Sequence, residues 1–160
     1  MSEKSRATIL NKKFKVNQIR NAIYCYINHL KSDLKKSKDE TTKILKEIGH
    51  KIALTYANYW KPKYKNSLDL MREIHRTIFR TAARVRQENS KISVISRSCP
   101  LCKYRRENID VPGHNIIIGF IETFYEILAK EDANLLKLEG TSETSRIFGE
   151  KKCKYNFIIK

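Results

Sequence analysis

The stretch SCPLCKYR places Cys99 and Cys102 at the spacing that lets two sulfurs reach one ion. The same spacing serves a redox pair, in which a helix N-terminus lowers the pKa of one thiol. Here the pair leads into KYRREN, a charged segment with little helical periodicity, which weakens the redox reading. A tetrahedral zinc site needs two further thiolates or imidazoles. His114 follows the turn signal VPG, and Cys153 stands in a late alternating segment. The four together would make a Cys3His set, tying a loop, a helix start and a strand into one knot. Four protein ligands leave no position for water or substrate, so such an ion would be structural. From spacing alone, this set stands beside the plainer reading of packed, buried thiols. Cys25, in AIYCYINH, reads as a core thiol inside a helix. His29, His50 and His75 have no partner pattern and read as ordinary helix residues.

The elements that must position these residues follow from hydrophobic periodicity. From Val16 to about Lys36, Ile19, Ile23, Tyr26, Ile27 and Leu30 recur at helical spacing. A second helix starts near Asp39, with Ile44, Ile48, Ile52 and Tyr56 on one stripe and Leu45, Ala53 and Tyr59 beside it. Pro62 ends it. A third helix starts after a cap at Asn66 or Ser67 and buries Met71, Ile74, Ile78, Ala82 and Val85. Arg72, Arg76, Arg80 and Arg84 fall on its opposite side, either as a phosphate grip or as the wet face of an amphipathic helix. KISVIS then reads as a strand. From His114 to Leu128 the chain is apolar on nearly every side, the mark of a buried helix. NLLKLEG and KKCKYNFIIK read as strands, the second alternating Cys153, Tyr155, Phe157 and Ile159 with Lys154 and Asn156. The expected order is three helices, a strand, a loop, a buried helix and two strands. It implies an α+β fold, N-terminal helices and one buried C-terminal helix packed on a small antiparallel sheet. One domain is expected over residues 1–160, with residues 1–15 a flexible basic lead-in.

Composition bounds the partners. A chain of 160 residues with 41% hydrophobic residues can bury an ordinary core. No apolar run approaches the roughly 20 residues of a membrane span, and the first residues lack a signal-peptide core. A soluble cytoplasmic protein without disulfides is the expectation. The net charge of +16 attracts polyanions, namely nucleic acid or an anionic membrane. Lys also outnumbers Arg two to one, a thermophile-like composition in which lysine is often plain solvated surface.

The segment GHNIIIGFIETFYEILAKEDANLLKLEGTSETSRIFGEKKCKYNFII resembles the core of the 4-vinyl-reductase domain family. That family has an apolar helix opened by a metal ligand, a strand, and a Cys-x3-Gly-x3-Cys turn into a final strand. Its fold is shared with subunits of the TRAPP transport particle, which hold an acyl chain in a tunnel. The resemblance implies the first ligand at His114, five residues before Gly119, and the last at Cys153. The family's turn falls on Ser145, Gly149 and Cys153, so its earlier cysteine is a serine here. The family's glutamate ligand falls on Ser142. Two ligands of four survive, and Cys99 with Cys102 would supply the deficit of two.

Several function classes follow. The resemblance implies a zinc-stabilised module binding a small hydrophobic or aromatic molecule, sensory or regulatory. Tyr56, Trp60, Phe79, Ile117, Phe120 and Phe124 are the candidate pocket walls, and each alone also reads as core filling. A homodimer is implied on the same grounds. The alternative is a basic adaptor for nucleic acid or an anionic membrane surface, using the arginine column and NKKFKVNQIR. No dinucleotide fingerprint, phosphate loop or activated nucleophile is present, so the sequence gives no support to a reductase reaction.

Overall fold

The computed structural model describes residues 3–160, apart from the side chains of Glu3, Lys4 and Lys12. Four α-helices and one four-stranded sheet follow in the order α1 (Glu3–Ser32), α2 (Lys38–Ala57), α3 (Ser67–Thr77), β1 (Ala83–Glu88), β2 (Lys91–Ser96), α4 (Asn115–Leu128), β3 (Leu138–Thr144) and β4 (Cys153–Ile159). A 3-10 turn, Arg146–Phe148, links β3 to β4. The sheet is antiparallel throughout, with strand order β1-β2-β4-β3. The α+β class with helices against an antiparallel sheet is therefore as the sequence implied.

Local chemistry explains the helix starts. Ser37 caps α2: its side chain accepts from the Glu40 amide while the Glu40 carboxylate accepts from the Ser37 amide. This reciprocal pairing satisfies two donors that a helix start leaves orphaned. Asn66 caps α3, accepting from the Asp69 amide at 2.9 Å. The helix α1 starts at Glu3 rather than Val16, so residues 3–15 of the expected lead-in are helical; Met1 and Ser2 lie outside the described residues.

The centre is a crossing of α2 and α4 at two glycines. A Cβ on Gly49 would lie 2.0 Å from the Ile116 carbonyl oxygen, and one on Gly119 would lie 2.1 Å from that of Lys46. The two backbones thus touch where a side chain would hold them apart. Beside the crossing, Lys46 donates to Glu122 at 2.8 Å and to the Gly140 carbonyl at 2.6 Å, while the Gly140 amide donates to Glu122 at 2.6 Å. These bonds fasten α2, α4 and β3 together. Alternate strand residues Val85, Ile92, Val94, Tyr155 and Phe157 face the helices, meeting Leu70, Met71, Ile74, Phe120 and Phe124 in one core.

Three expectations are corrected. The third helix ends at Thr77 instead of running to Val85, and Ala83–Glu88 pairs with β2 as a strand. The arginine column is therefore not one helix face: Arg72 and Arg76 lie on α3, Arg80 in the turn and Arg84 on β1. Cys25 is exposed rather than packed, because α1 buries Arg20, Tyr24, Ile27 and Leu30, a line rotated from the expected stripe. On α2 the fully buried line is Thr41, Leu45, Gly49 and Ala53. The stripe expected to be core, Ile44, Ile48, Ile52 and Tyr56, stays partly or largely open to solvent.

Candidate metal centre

Three elements bring four residues to one buried point. The loop after β2 brings Cys99 and Cys102, the residue opening α4 is His114, and the first residue of β4 is Cys153. Their ligand atoms all lie within 4.8 Å of one another, and all four residues are buried. Cys102 Sγ and His114 Nδ1 stand 3.5 Å apart. A zinc tetrahedron with bonds of about 2.3 Å to sulfur and about 2.0 Å to nitrogen has edges of about 3.5 to 3.8 Å, so the Cys102–His114 pair already stands at an edge length and no pair is more than about 1 Å too wide. Sequence spacing alone singled out these four, and they are the ones that meet.

The surrounding groups are arranged for negative sulfur. The Arg146 amide donates to Cys153 Sγ at 3.5 Å, and the Ser145 hydroxyl lies 3.9 Å from the same atom. The Tyr24 hydroxyl lies 3.5 Å from Cys102 Sγ and accepts from the Gly113 amide at 3.2 Å. Three thiolates around a divalent ion carry a net negative charge, and such donors offset it. The His114 Nε2 meets Ser142 Oγ at 2.7 Å. With Nδ1 turned to the sulfurs, Nε2 is the nitrogen that carries the proton and donates to Ser142. Ser142 and Ser145, which stand where the resembling family has ligands, thus support two of the ligands here.

Titration follows from this geometry. Burial alone would depress His114, but hydrogen bonds to Cys102 and Cys153 hold it at about 9. Burial pushes the Cys102 thiol up, yet bonds from Cys153, Cys99 and His114 outweigh it and bring the group well below its ordinary value. Cys99 is held well above its ordinary value, first by its hydrogen bond to Cys102. One thiolate facing one imidazolium is the arrangement a metal ion would replace, releasing protons on binding.

Other neighbours carried no sequence signal of their role. Arg20 on α1, 4% exposed, donates to the Pro100 carbonyl at 2.8 Å and so clasps the knuckle. His75 is buried, its Nε2 2.9 Å from the Tyr155 hydroxyl and its Nδ1 3.3 Å from that of Thr81. Burial lowers its pKa to about 4. Tyr155 in turn packs its ring against His114, with ring centres 5.4 Å apart.

Next to the knuckle runs a groove of about 410 Å³ between α1, α2 and α4. Ile23 of α1, Ile48, Ile52 and Tyr56 of α2, and Ile117 of α4 line it, and Leu101, between the two cysteines, forms part of the wall. Of the expected pocket residues, Tyr56, Phe79 and Ile117 line the groove. Phe120 packs edge-on against Tyr56 and Phe79 behind it, and the half-buried Trp60 stacks on Phe124 away from the groove lining. The helical periodicity of α2 marked this wall as buried because an open groove and a core want the same residues.

No protein-family model matches the chain. No curated protein matches it either. Among solved structures, its fold is similar to that of a trafficking protein particle complex subunit 3 from Naegleria fowleri, covalently bound to palmitic acid. The TM-score is 0.67 at 13% identity, over 92% of this chain and 96% of that one. At this identity the likeness is one of fold, and that fold agrees with the one implied by the sequence resemblance.

Proposed function

We propose that the chain is a zinc-stabilised binding module for a small hydrophobic or aromatic molecule, sensory or regulatory rather than catalytic, acting in the cytoplasm as a homodimer. The observation that carries it is the apolar groove, whose wall residues Tyr26, Ile52 and Tyr56 remain roughly two-fifths exposed. Apolar side chains left facing water along a concave surface gain by covering it with an apolar guest. The palmitic acid on the similarly folded protein supports a lipid-like or aromatic guest. In the proposed module, Cys99, Cys102, His114 and Cys153 hold the zinc, which has no coordination position for a reactant. Its contribution is to fix Pro100 and Leu101 as a rigid side of the groove. Partly exposed apolar residues on α1, Ile9, Leu10 and Phe14, are the candidates for covering by a second copy.

The test is displacement of a hydrophobic fluorophore by palmitate and by small phenols. The dye should bind, one of the two competitor classes should displace it, and Ile52→Glu should abolish binding without altering thermal stability. Dye that ignores both competitors, or binds the variant equally well, overturns the reading. Native mass spectrometry of the same sample reports zinc and subunit number together.

A further inference from the structure

Two open depressions lie side by side where α3 turns into the edge strand β1. One, of about 490 Å³, is lined by Arg72, Arg76, Arg80, Thr81, Ala82 and Ala83. The other, of about 550 Å³, shares Ala82 and Ala83 and adds Arg84, Ile95, Arg97, Ser98 and Lys152. Five arginines and a lysine thus border a hollow made of two depressions that meet at Ala82 and Ala83, and no carboxylate is among its lining residues. Arg76 is paired with Glu73, but Arg80, Arg84, Arg97 and Lys152 make no ion pair among the described residues. Arg80 also has a φ of 49°, a backbone region that glycine or asparagine occupies at less cost. A costly arginine in a turn that glycine would suit points to a use for its guanidinium.

We infer that this hollow binds the phosphate backbone of a nucleic-acid strand. Guanidinium forks match phosphate oxygens in pairs, and the Ser98 hydroxyl adds an uncharged donor. Two adjoining hollows with a shared floor suit phosphates that repeat along a polymer better than one small anion. A bilayer is disfavoured as the occupant: the site is concave, and its apolar lining is limited to Ala82, Ala83 and Ile95, which offer nothing to insert among acyl chains. The hollow shares no residue with the apolar groove, so this inference stands apart from the hydrophobic-ligand reading. It also keeps the four arginines of the sequence pattern in one place, although they belong to a helix, a turn and a strand.

The experiment is fluorescence anisotropy with a labelled single strand of roughly 20 nucleotides, the matching duplex, and phosphatidylserine vesicles, using the full chain. Binding to one of the nucleic acids should weaken steeply with salt, with a log–log slope of about −3 to −4 for a single strand contacted at about five phosphates. Reversing Arg80, Arg84 and Arg97 to Glu should lower affinity at least about tenfold and flatten the slope by about 2. Reversing three distant lysines, Lys51, Lys61 and Lys130, should change affinity by less than about threefold, which controls for the overall field. Equal losses in the two triple variants, or binding to vesicles but to neither nucleic acid, would overturn the inference. Melting curves of both variants confirm that each is folded.

Discussion

Ser142 decides which nitrogen of His114 is available, because its hydroxyl occupies Nε2 at 2.7 Å and leaves Nδ1 facing the sulfurs. Ser142→Ala should leave the fold intact and weaken zinc binding about tenfold or more, read by competition with a chromogenic chelator. Removal of a ligand is harsher. Structural zinc contributes on the order of 10 kcal/mol, comparable with a domain's entire net stability, so Cys102→Ser should melt tens of degrees lower or fail to fold. His75 sets a pH dependence of its own. Its neutral ring sits between the Tyr155 and Thr81 hydroxyls, each able to donate or accept, and burial lowers its pKa to about 4 from 6.5. The unfolded ring takes a proton first, so this contribution is whole above the unfolded value and drains as pH falls towards the folded one. Between about pH 7.5 and about pH 5 the protein should lose about 2 kcal/mol more than His75→Gln does, measured by urea unfolding of both. His75→Gln keeps the four cluster residues, so their titration is present in both proteins and the comparison is referred to His75. At this scale the sequence was informative about ligand types, since two cysteines three apart raised metal binding beside a redox pair and packed thiols, and the family resemblance pointed to His114 and Cys153. It was silent about Tyr24 and Arg20, whose roles depend on contacts made across long stretches of chain, and about the Arg146 amide, a backbone donor with no side-chain signal.

Among the elements, the crossing of α2 over α4 tolerates the least change. Gly49→Ala would drive a methyl group into the Ile116 carbonyl, and the backbones must separate to admit it. A loss of about 3 kcal/mol or more is expected in chemical denaturation, against about 1 kcal/mol for Ser37→Ala at the α2 cap. The sequence revealed α4 and β4 well, the first by apolar residues on every side and the second by strict alternation. It misled at β1. Arginines at every fourth position from Arg72 to Arg84 imitate a helix face, and only the backbone reversal at Arg80 breaks the pattern. It misled again at α1, where Ile19 and Tyr26 sit at core spacing yet remain exposed. Periodicity reports which side chains share a face, and nothing about whether another element covers that face.

For the whole molecule, the Cys3His cluster and the groove share a wall. Leu101 stands between two ligands and also lines the apolar groove, so freeing the knuckle should loosen one side of the guest's seat. Affinity for the hydrophobic dye should therefore fall several-fold on exhaustive chelation and return with added zinc, and by linkage a bound guest should raise zinc affinity by the same factor. Dye titration checks the first half, and equilibrium competition with a fluorescent zinc indicator, with and without guest, checks the second. The strand order carries a last consequence. The strand latest in the chain, β4, lies between β2 and β3, and those two meet only through it. A ribosome delivers residues in sequence, so the hairpin and the lone strand wait with bare edges until Cys153–Ile159 emerges, and the same strand brings the final sulfur. Sheet closure and completion of the Cys3His cluster thereby fall to the same strand, so a chain without it would keep both sheet edges bare.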